Sequence, residues 1–195
     1  MIKKQIILIL LIFSFVPAVS AHKKDSTTVS LNHYSLAIGA GWTHFINSLE
    51  IGKENARIDF GGVSLKFFWE PEHRLSLGLE SGFYKLYQVK GKTSNDIEGQ
   101  ASMSAIPLLL TVRMRIVDYF YLSIGAGLAI MFNKVSGIDQ QINSNILSLS
   151  NYQFSGSYIY PLSKHWGIGG EFKVFNFGKA ADWMYSLQAT CAFKL

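Results

Sequence analysis

From about Leu31 to its last residue, the chain alternates apolar and polar side chains in eight stretches. Successive side chains of a β-strand point to opposite faces, so this alternation predicts strands with one apolar face and one polar face. The predicted strands are Asn32–Phe45, Arg57–Trp69, Arg74–Val89, Ser102–Ile116, Phe120–Asn133, Ser150–Tyr160, Trp166–Phe177 and Trp183–Leu195. The last strand is the most regular, with Leu187 on the apolar face between Ser186 and Gln188 on the polar face.

The second predicted strand changes phase along its length. Ile58 and Phe60 fall on the same alternate positions as Ser64, where small or polar side chains are otherwise the rule. An extra residue inserted as a β-bulge restores the alternation, and glycine within a strand often marks such a site. The sequence therefore predicts a bulge at Gly61–Gly62.

The connections between the predicted strands alternate in length. Short ones follow strands two, four and six, at residues 70–73, 117–119 and 161–165. Longer polar ones follow strands one, three and five, at residues 46–56, 90–101 and 134–149, and a five-residue connection, 178–182, follows strand seven. Bacterial outer-membrane barrels have an even number of strands, short periplasmic turns and longer extracellular loops. The pattern therefore predicts an all-β fold, an eight-stranded antiparallel up-and-down transmembrane β-barrel with both chain ends in the periplasm.

The composition of the polar face decides which way the apolar face points. A soluble lipocalin-like barrel of eight strands would turn its apolar face inward and carry many charges outside. Here the polar face is rich in Gly, Ser, Ala and Thr, and these small residues suit an eight-stranded lumen that side chains just fill. The apolar face is therefore predicted to face lipid. Aromatic residues near the strand ends are predicted to form a girdle at the lipid–water boundary; they are Trp42, Trp69, Tyr87, Trp166 and Trp183.

The N-terminal residues have the features of a secretory signal. Lys3 and Lys4 precede the apolar segment Ile6–Val16, and small residues at Val19–Ala21 form a cleavage site. Residues 1–21 are therefore predicted to be a signal peptide and residues 22–195 the barrel domain. Cleavage lowers the formal net charge from +5 to +3, since two lysines and no acid are lost. That excess is too small to favour nucleic-acid binding.

Six charged residues fall on the inward phase of the predicted strands: Lys66, Glu80, Arg113, Arg115, Glu171 and Lys173. An unpaired charge in a narrow lumen costs several kcal/mol, so these residues are predicted to form an internal salt-bridge network that closes the barrel. An ion pathway or a proton-linked site is the alternative interpretation.

The sequence predicts no catalytic, cofactor or metal site. The histidines are scattered without the spacing of metal ligands, and no serine lies in a nucleophile-elbow motif. His44 with Ser48 and Glu50 is an alternative as a surface hydrolytic group, but a solvated loop explains these residues better. The long loops 46–56, 90–101 and 134–149 are the candidate contact regions for an extracellular ligand, because rigid scaffolds commonly present binding residues on loops.

A resemblance to a known family is carried by the fourth and fifth predicted strands. The segment Ala105-Ile-Pro-Leu-Leu-Leu110, followed by Arg113-Met-Arg115 and then Tyr119-Phe-Tyr-Leu-Ser-Ile-Gly-Ala-Gly127, resembles the porin-like or PorT-like outer-membrane barrels of Bacteroidota. The chain is also similar in plan to OmpA- and OmpX-type eight-stranded barrels. The resemblance implies location in the outer membrane, contact with its lipid and assembly by the outer-membrane insertion machinery. It implies no catalytic residues.

The function predicted from the sequence is that of a scaffold or surface-interaction protein of the outer membrane, without catalytic activity. An enzyme that modifies outer-membrane lipid and a small pore or transport protein are the alternatives.

Overall fold

The structure is a computed structural model that describes residues 33–46, 56–71, 74–92, 98–136, 141–178 and 182–195. The predicted signal peptide and most of the connection 46–56 lie outside these residues. The strands are β1 (His33–Ile46), β2 (Ala56–Arg57), β3 (Asp59–Glu70), β4 (Leu75–Lys92), β5 (Glu98–Val117), β6 (Phe120–Ser136), β7 (Gln141–Pro161), β8 (Trp166–Asn176) and β9 (Trp183–Lys194).

The strands form one closed antiparallel sheet. If the two-residue β2 is left out, each strand pairs with the next one along the chain, and β9 pairs with β1 to close the ring. β2 pairs with β4 beside the end of β3. Within the described residues the ring has eight strands, so the predicted eight-stranded up-and-down β-barrel is confirmed. No helix in this part of the chain has the length and hydrophobicity to cross a membrane.

The strands are strongly tilted. Register partners followed once around the ring, from Leu36 on β1 through β3 to β9 and back to β1, lead to Ile46. The ring therefore closes with a displacement of 46 − 36 = 10 residues. That is about 33 Å along a strand against about 38 Å around eight strands, so the strands tilt by about 40° from the barrel axis.

The two faces of the sheet differ as the alternation predicts. Leu110, Ile124 and Leu187 are all more than half exposed on the outer face, whereas Ser186 and Gln188 on the inner face are buried. The inner face is also tight: a Cβ atom added to Gly41 would lie 2.0 Å from the carbonyl oxygen of Leu187 on β9. An apolar exterior around a small polar interior is the arrangement that lipid requires of a barrel.

The predicted bulge at Gly61–Gly62 is absent from the pairing with β1. The register of β1 with β3 is continuous from His33 opposite Glu70 to His44 opposite Asp59. Ile58 and Phe60 stay in phase and lie half-buried on the inner face, because this end of the lumen accepts apolar side chains. Towards β4 the register does shift by one residue, since Gly62 lies opposite Tyr84 whereas Arg57 of β2 lies opposite Gln88. Further register shifts lie in β4 to β7.

Two predicted loops are largely strand. In the predicted loop 90–101, β4 extends to Lys92 and β5 begins at Glu98. In the predicted loop 134–149, β6 extends to Ser136 and β7 begins at Gln141. The tips at 93–97 and 137–140 lie outside the described residues. The segments consist mainly of polar residues because water reaches both of their faces, so they lack the alternation that marks a half-buried strand.

Because of these extensions, the barrel is taller on the side formed by β4 to β7. The ring ends at Ile46, Asn176 and Trp183, but β4 to β7 continue past that level by on the order of 15 Å. We call the projecting part, residues 88–92, 98–103, 132–136 and 141–147, the outer wall. Its last strand has a free edge among the described residues, because residues 141–148 of β7 pair there with β6 alone.

Candidate functional site

Four buried charges meet in the middle of the lumen, from β3, β4 and β8. Lys173 Nζ pairs with Glu80 Oε1 and Lys66 Nζ pairs with Glu171 Oε1. A third contact of 3.5 Å joins Lys173 Nζ to Glu171 Oε2, so the two pairs form one cluster. Period-two alternation places all four side chains inward, and the strand tilt brings opposite walls to the same level.

Neutral polar side chains complete the ion-pair cluster. Gln153 donates from Nε2 to Glu80 Oε2 at 2.7 Å, and the Tyr84 hydroxyl lies 3.4 Å from Lys173 Nζ. Ser64 donates to Gln188 Oε1 at 2.7 Å beside them. Buried charges are tolerated where they are paired and hydrogen-bonded, and this cluster supplies both conditions.

Arg113 forms a second ion pair closer to the short turns. Its Nη2 donates to Glu70 Oε1 at 2.5 Å and to Ser35 Oγ at 3.4 Å. Its guanidinium also lies 3.9 Å from the ring centre of Phe68, which adds a cation–π contact. Glu70 follows the predicted second strand, so the alternation alone does not predict it as a partner of Arg113. Glu70 shares the even-numbered, inward-facing positions of Lys66 and Phe68, and this alternation could have identified it as an interior residue.

Arg115 stands apart from the other predicted interior charges. It is half-buried at the turn end of the lumen, where it lines a cavity with Asp118, Tyr121 and Lys194. Among the described residues, no carboxylate lies within salt-bridge distance of it. The prediction that all six charges share one network therefore differs from the structure at two residues, because Arg113 pairs with Glu70 instead and Arg115 lies beyond that ion pair.

An apolar cluster fills the lumen at the opposite end, near the outer wall. It comprises Phe45, Tyr84, Leu86, Ala105, Leu109, Ala129, Met131, Phe175, Phe177 and Met184, all buried. The rings of Phe175 and Phe177 stack with their centres 4.5 Å apart. The sequence did not predict this cluster, because large apolar residues were expected on the lipid face. Phe45 and Met184 fall on the inward-facing positions of β1 and β9, and this alternation could have identified the cluster.

Four of the predicted girdle residues lie on the outer face in two groups. Trp42 and Trp183 lie towards the outer wall, and Trp69 and Trp166 lie at the turn end; each is between 39% and 52% exposed. Tyr87 differs, because it packs inward against the apolar cluster with its ring 6.2 Å from that of Phe45. The cause is a bulge in β4.

The bulge lies between Lys85 and Tyr87, where Leu86 has no register partner on β5. The extra residue shifts the alternation by one position, so Tyr87 turns to the face that Tyr84 occupies below the bulge. Its assignment to the girdle is therefore corrected.

His44 contacts Asp59 and Trp42 on the outer face, and its ring stacks on that of Trp42 with the centres 5.7 Å apart. Its Nδ1 lies 2.9 Å from Asp59 Oδ1, which also accepts a hydrogen bond from Trp42 Nε1 at 3.0 Å. Ser48 and Glu50, the other members of the alternative hydrolytic group, lie outside the described residues. In the part of the chain that the structure describes, no three His, Cys, Asp or Glu residues are placed to hold a metal ion.

The sequence matches no protein-family model and no curated protein, whereas solved structures share its fold. The crystal structure of Ail, the attachment invasion locus protein of Yersinia pestis, is similar with a TM-score of 0.53 and 16% identity, over 84% of this chain and 99% of that one. A second Ail structure, in complex with the heparin analogue sucrose octasulfate, has a TM-score of 0.51 and 14% identity over the same shares.

These similarities show the fold of small outer-membrane β-barrels. Together with the apolar outer face of the ring, which only hydrocarbon can cover, that fold places the chain in the outer membrane.

Proposed function

We propose that this chain is a surface-interaction protein in which a closed barrel holds the outer wall above the membrane. The carrying observation is the extension of β4 to β7 beyond the ring, with residues 142–147 of β7 exposed throughout. A strand that projects from a rigid barrel presents a fixed surface to molecules outside the cell.

The free edge of the outer wall fits a polypeptide partner. From Gln141 to Ser150 the edge carries no charged residue and no proline, although natural edge strands usually carry them as protection against pairing. Ile142, Ile146 and Leu147 are each more than half exposed along it. One of the similar structures is a complex with a heparin analogue, but a polyanion would find no cation on this edge.

The interior supports a closed barrel rather than a pore. The ion-pair cluster crosses the middle of the lumen, and the apolar cluster fills it towards the outer wall. An ion crossing the barrel would have to break paired charges and enter an apolar layer. We therefore propose a lumen closed by these two layers.

No observation favours an enzyme. The contact between His44 and Asp59 lies on the outer face, but among the described residues no serine hydroxyl is hydrogen-bonded to His44. A nucleophile–base pair needs such a hydrogen bond. The proposed function therefore includes no catalysis.

We also propose that the chain is a member of a particular family of outer-membrane barrels. The motif at Ala105–Leu110 and Tyr119–Gly127 supports membership of the porin-like or PorT-like barrels of Bacteroidota. The regular last strand, with Tyr185, Leu187 and Phe193 in phase, supports assembly by the outer-membrane insertion machinery.

Adhesion of bacteria that display the full chain tests this function. Cells with the chain, with the variant Ile142→Ser/Ile146→Ser/Leu147→Ser, or with neither are exposed to immobilised fibronectin, collagen, laminin and heparin. We expect retention on at least one of the three polypeptides for the unchanged chain, and its loss in the variant. Equal retention of all three strains, or retention on heparin alone, would contradict the proposal. Surface quantity and heat-modifiable migration on gels control for folding.

A further inference from the structure

The lumen opens at the turn end into a cavity of about 90 Å³. Arg115, Tyr121 and Ala192, from the inner face of the barrel, line one side of it. Tyr119 and Trp166, which are exposed towards the outer face, line the other side. The cavity therefore joins the mouth of the lumen to the surface that faces lipid.

Basic side chains dominate this mouth. Arg115 and Lys194 line the cavity, and Lys194 also lines an adjoining cavity with Lys164 and His165. Asp118 is the acidic side chain lining the first cavity. The adjoining cavity is lined by Glu70, which Arg113 already engages, and by Leu195 with its terminal carboxylate.

Arg115 is a half-buried cation of this mouth that has no acidic partner among the described residues. It points inward in the same phase as Arg113, yet no described carboxylate lies within salt-bridge distance of it. A half-buried guanidinium presents several N–H donors in a planar fork, which matches the oxygens of a phosphate group. The mouth therefore has the chemistry of a phosphate site.

Aromatic side chains fix the level of this mouth relative to the membrane. Trp166 packs on Phe193 with ring centres 4.7 Å apart, and Tyr119 packs on Tyr158 and Tyr160 at 6.3 and 5.7 Å. Exposed Trp and Tyr side chains of membrane proteins concentrate at the lipid–water boundary. A phosphate held by Arg115 would therefore lie at the depth of lipid headgroups, beside a surface that acyl chains can cover.

We infer that the turn-end mouth binds the headgroup of an anionic phospholipid, with Arg115 and Lys194 contacting the phosphate and the acyl chains lying along Trp166 and Phe193. The lipid comes from the periplasmic leaflet, which the short turns face. Lys164 adds positive charge at the adjoining rim.

Native mass spectrometry of the folded barrel in detergent tests the inference. The barrel is offered phosphatidylglycerol and phosphatidylethanolamine with identical acyl chains, at equal concentration. Both lipids carry the phosphate, but the ammonium group of phosphatidylethanolamine would be repelled by Arg115 and Lys194, so we expect phosphatidylglycerol to be retained about tenfold better. Arg115→Gln/Lys194→Gln should remove this preference, and Arg115→Lys should keep part of it.

The matched control is Lys134→Gln, which removes one positive charge, as Lys194→Gln does, but from an exposed position on the outer wall. It should leave the preference unchanged. Equal retention of the two lipids, or equal loss of preference in the control, would overturn the inference. Displacement of the lipid by inorganic phosphate at equal concentration would reveal a site for free phosphate instead. Heat-modifiable migration on gels reports the folding of each variant. If the double variant fails to fold, the single change Lys194→Gln at an exposed position replaces it and should weaken the preference.

Discussion

Lys173 and Glu80 form an ion pair across the full width of the barrel, although 93 residues separate them along the chain. Their strands, β8 and β4, lie four positions apart in either direction around the ring. Both side chains are almost completely buried. The pair therefore connects opposite walls. At the same level, Glu171 and Lys66 connect β8 to β3, which lies three positions away around the ring.

Removal of one partner from this cluster should destabilise the barrel strongly. Glu80→Gln leaves Lys173 buried with one carboxylate fewer. We expect a loss of about 3–5 kcal/mol in the free energy of unfolding, the usual cost of breaking a buried ion pair. Urea titration in lipid vesicles, read by the gel mobility of folded and unfolded forms, measures it.

The double variant Glu80→Gln/Lys173→Met distinguishes an orphaned charge from lost packing. Removing both charges should recover most of the stability that the single change loses, since the desolvation cost disappears with the charges. A single variant as stable as the unchanged barrel, or a double variant less stable than the single one, would show that the pair does not govern stability.

Two glycines on neighbouring strands should respond very differently to a methyl group. A Cβ atom at Gly41 would lie 2.0 Å from the carbonyl oxygen of Leu187 and 2.6 Å from the Cα atom of Gln188, both backbone atoms. A Cβ atom at Gly61 would meet nothing closer than 3.9 Å. We expect Gly41→Ala to cost about 1–3 kcal/mol, as overpacking does, and Gly61→Ala to be near neutral. The same urea titration compares them, and equal midpoints would be inconsistent with the register of β1 and β9.

The apolar cluster should contribute to both stability and closure. Phe175→Ala removes a fully buried ring and should cost about 3–5 kcal/mol through the cavity that it leaves. Phe172→Ala, on the lipid face of the same strand, should cost less because lipid fills the space. In planar bilayers the unchanged barrel should show no stable conductance steps. Such steps would contradict a closed lumen.

The orientation of the barrel can be tested with single cysteines. Cys191 lies on the outer face of β9, so Cys191→Ser provides a background without other thiols. In that background, Ser144→Cys on the outer wall should react with a membrane-impermeant maleimide on intact cells. Lys164→Cys at a short turn should react only after the outer membrane is opened. The reverse labelling pattern would show that the barrel is inserted in the opposite direction, with the turn end outside the cell.

The barrel could be predicted from the sequence because lipid and a narrow lumen impose opposite demands on alternate residues. β9 shows this best, since Leu187 must face hydrocarbon while Ser186 and Gln188 must fit inside. The inward direction of Lys66, Glu80, Glu171 and Lys173 follows from the same alternation. Which of them meet does not, because the ten-residue displacement of the ring is a property of the closed sheet.

The prediction was weakest where the environment stops alternating. The alternation predicts loops where the outer wall stands, because water reaches both faces of its strands. The apolar cluster was missed because apolar residues lie on both faces at that level of the barrel. Tyr87 was assigned to the wrong face because a bulge at Leu86 has no glycine to mark it.

The pairing of β1 with β9 has a consequence for how the protein folds. Ile38 lies opposite Cys191, a sequence separation of 191 − 38 = 153 residues, and the ring cannot close before both are present. Contacts between such distant residues form slowly, because a large loss of chain entropy precedes them. Until the seam closes, the nascent sheet has two unprotected edges, so an unfinished chain is exposed to aggregation until its C-terminal strand arrives.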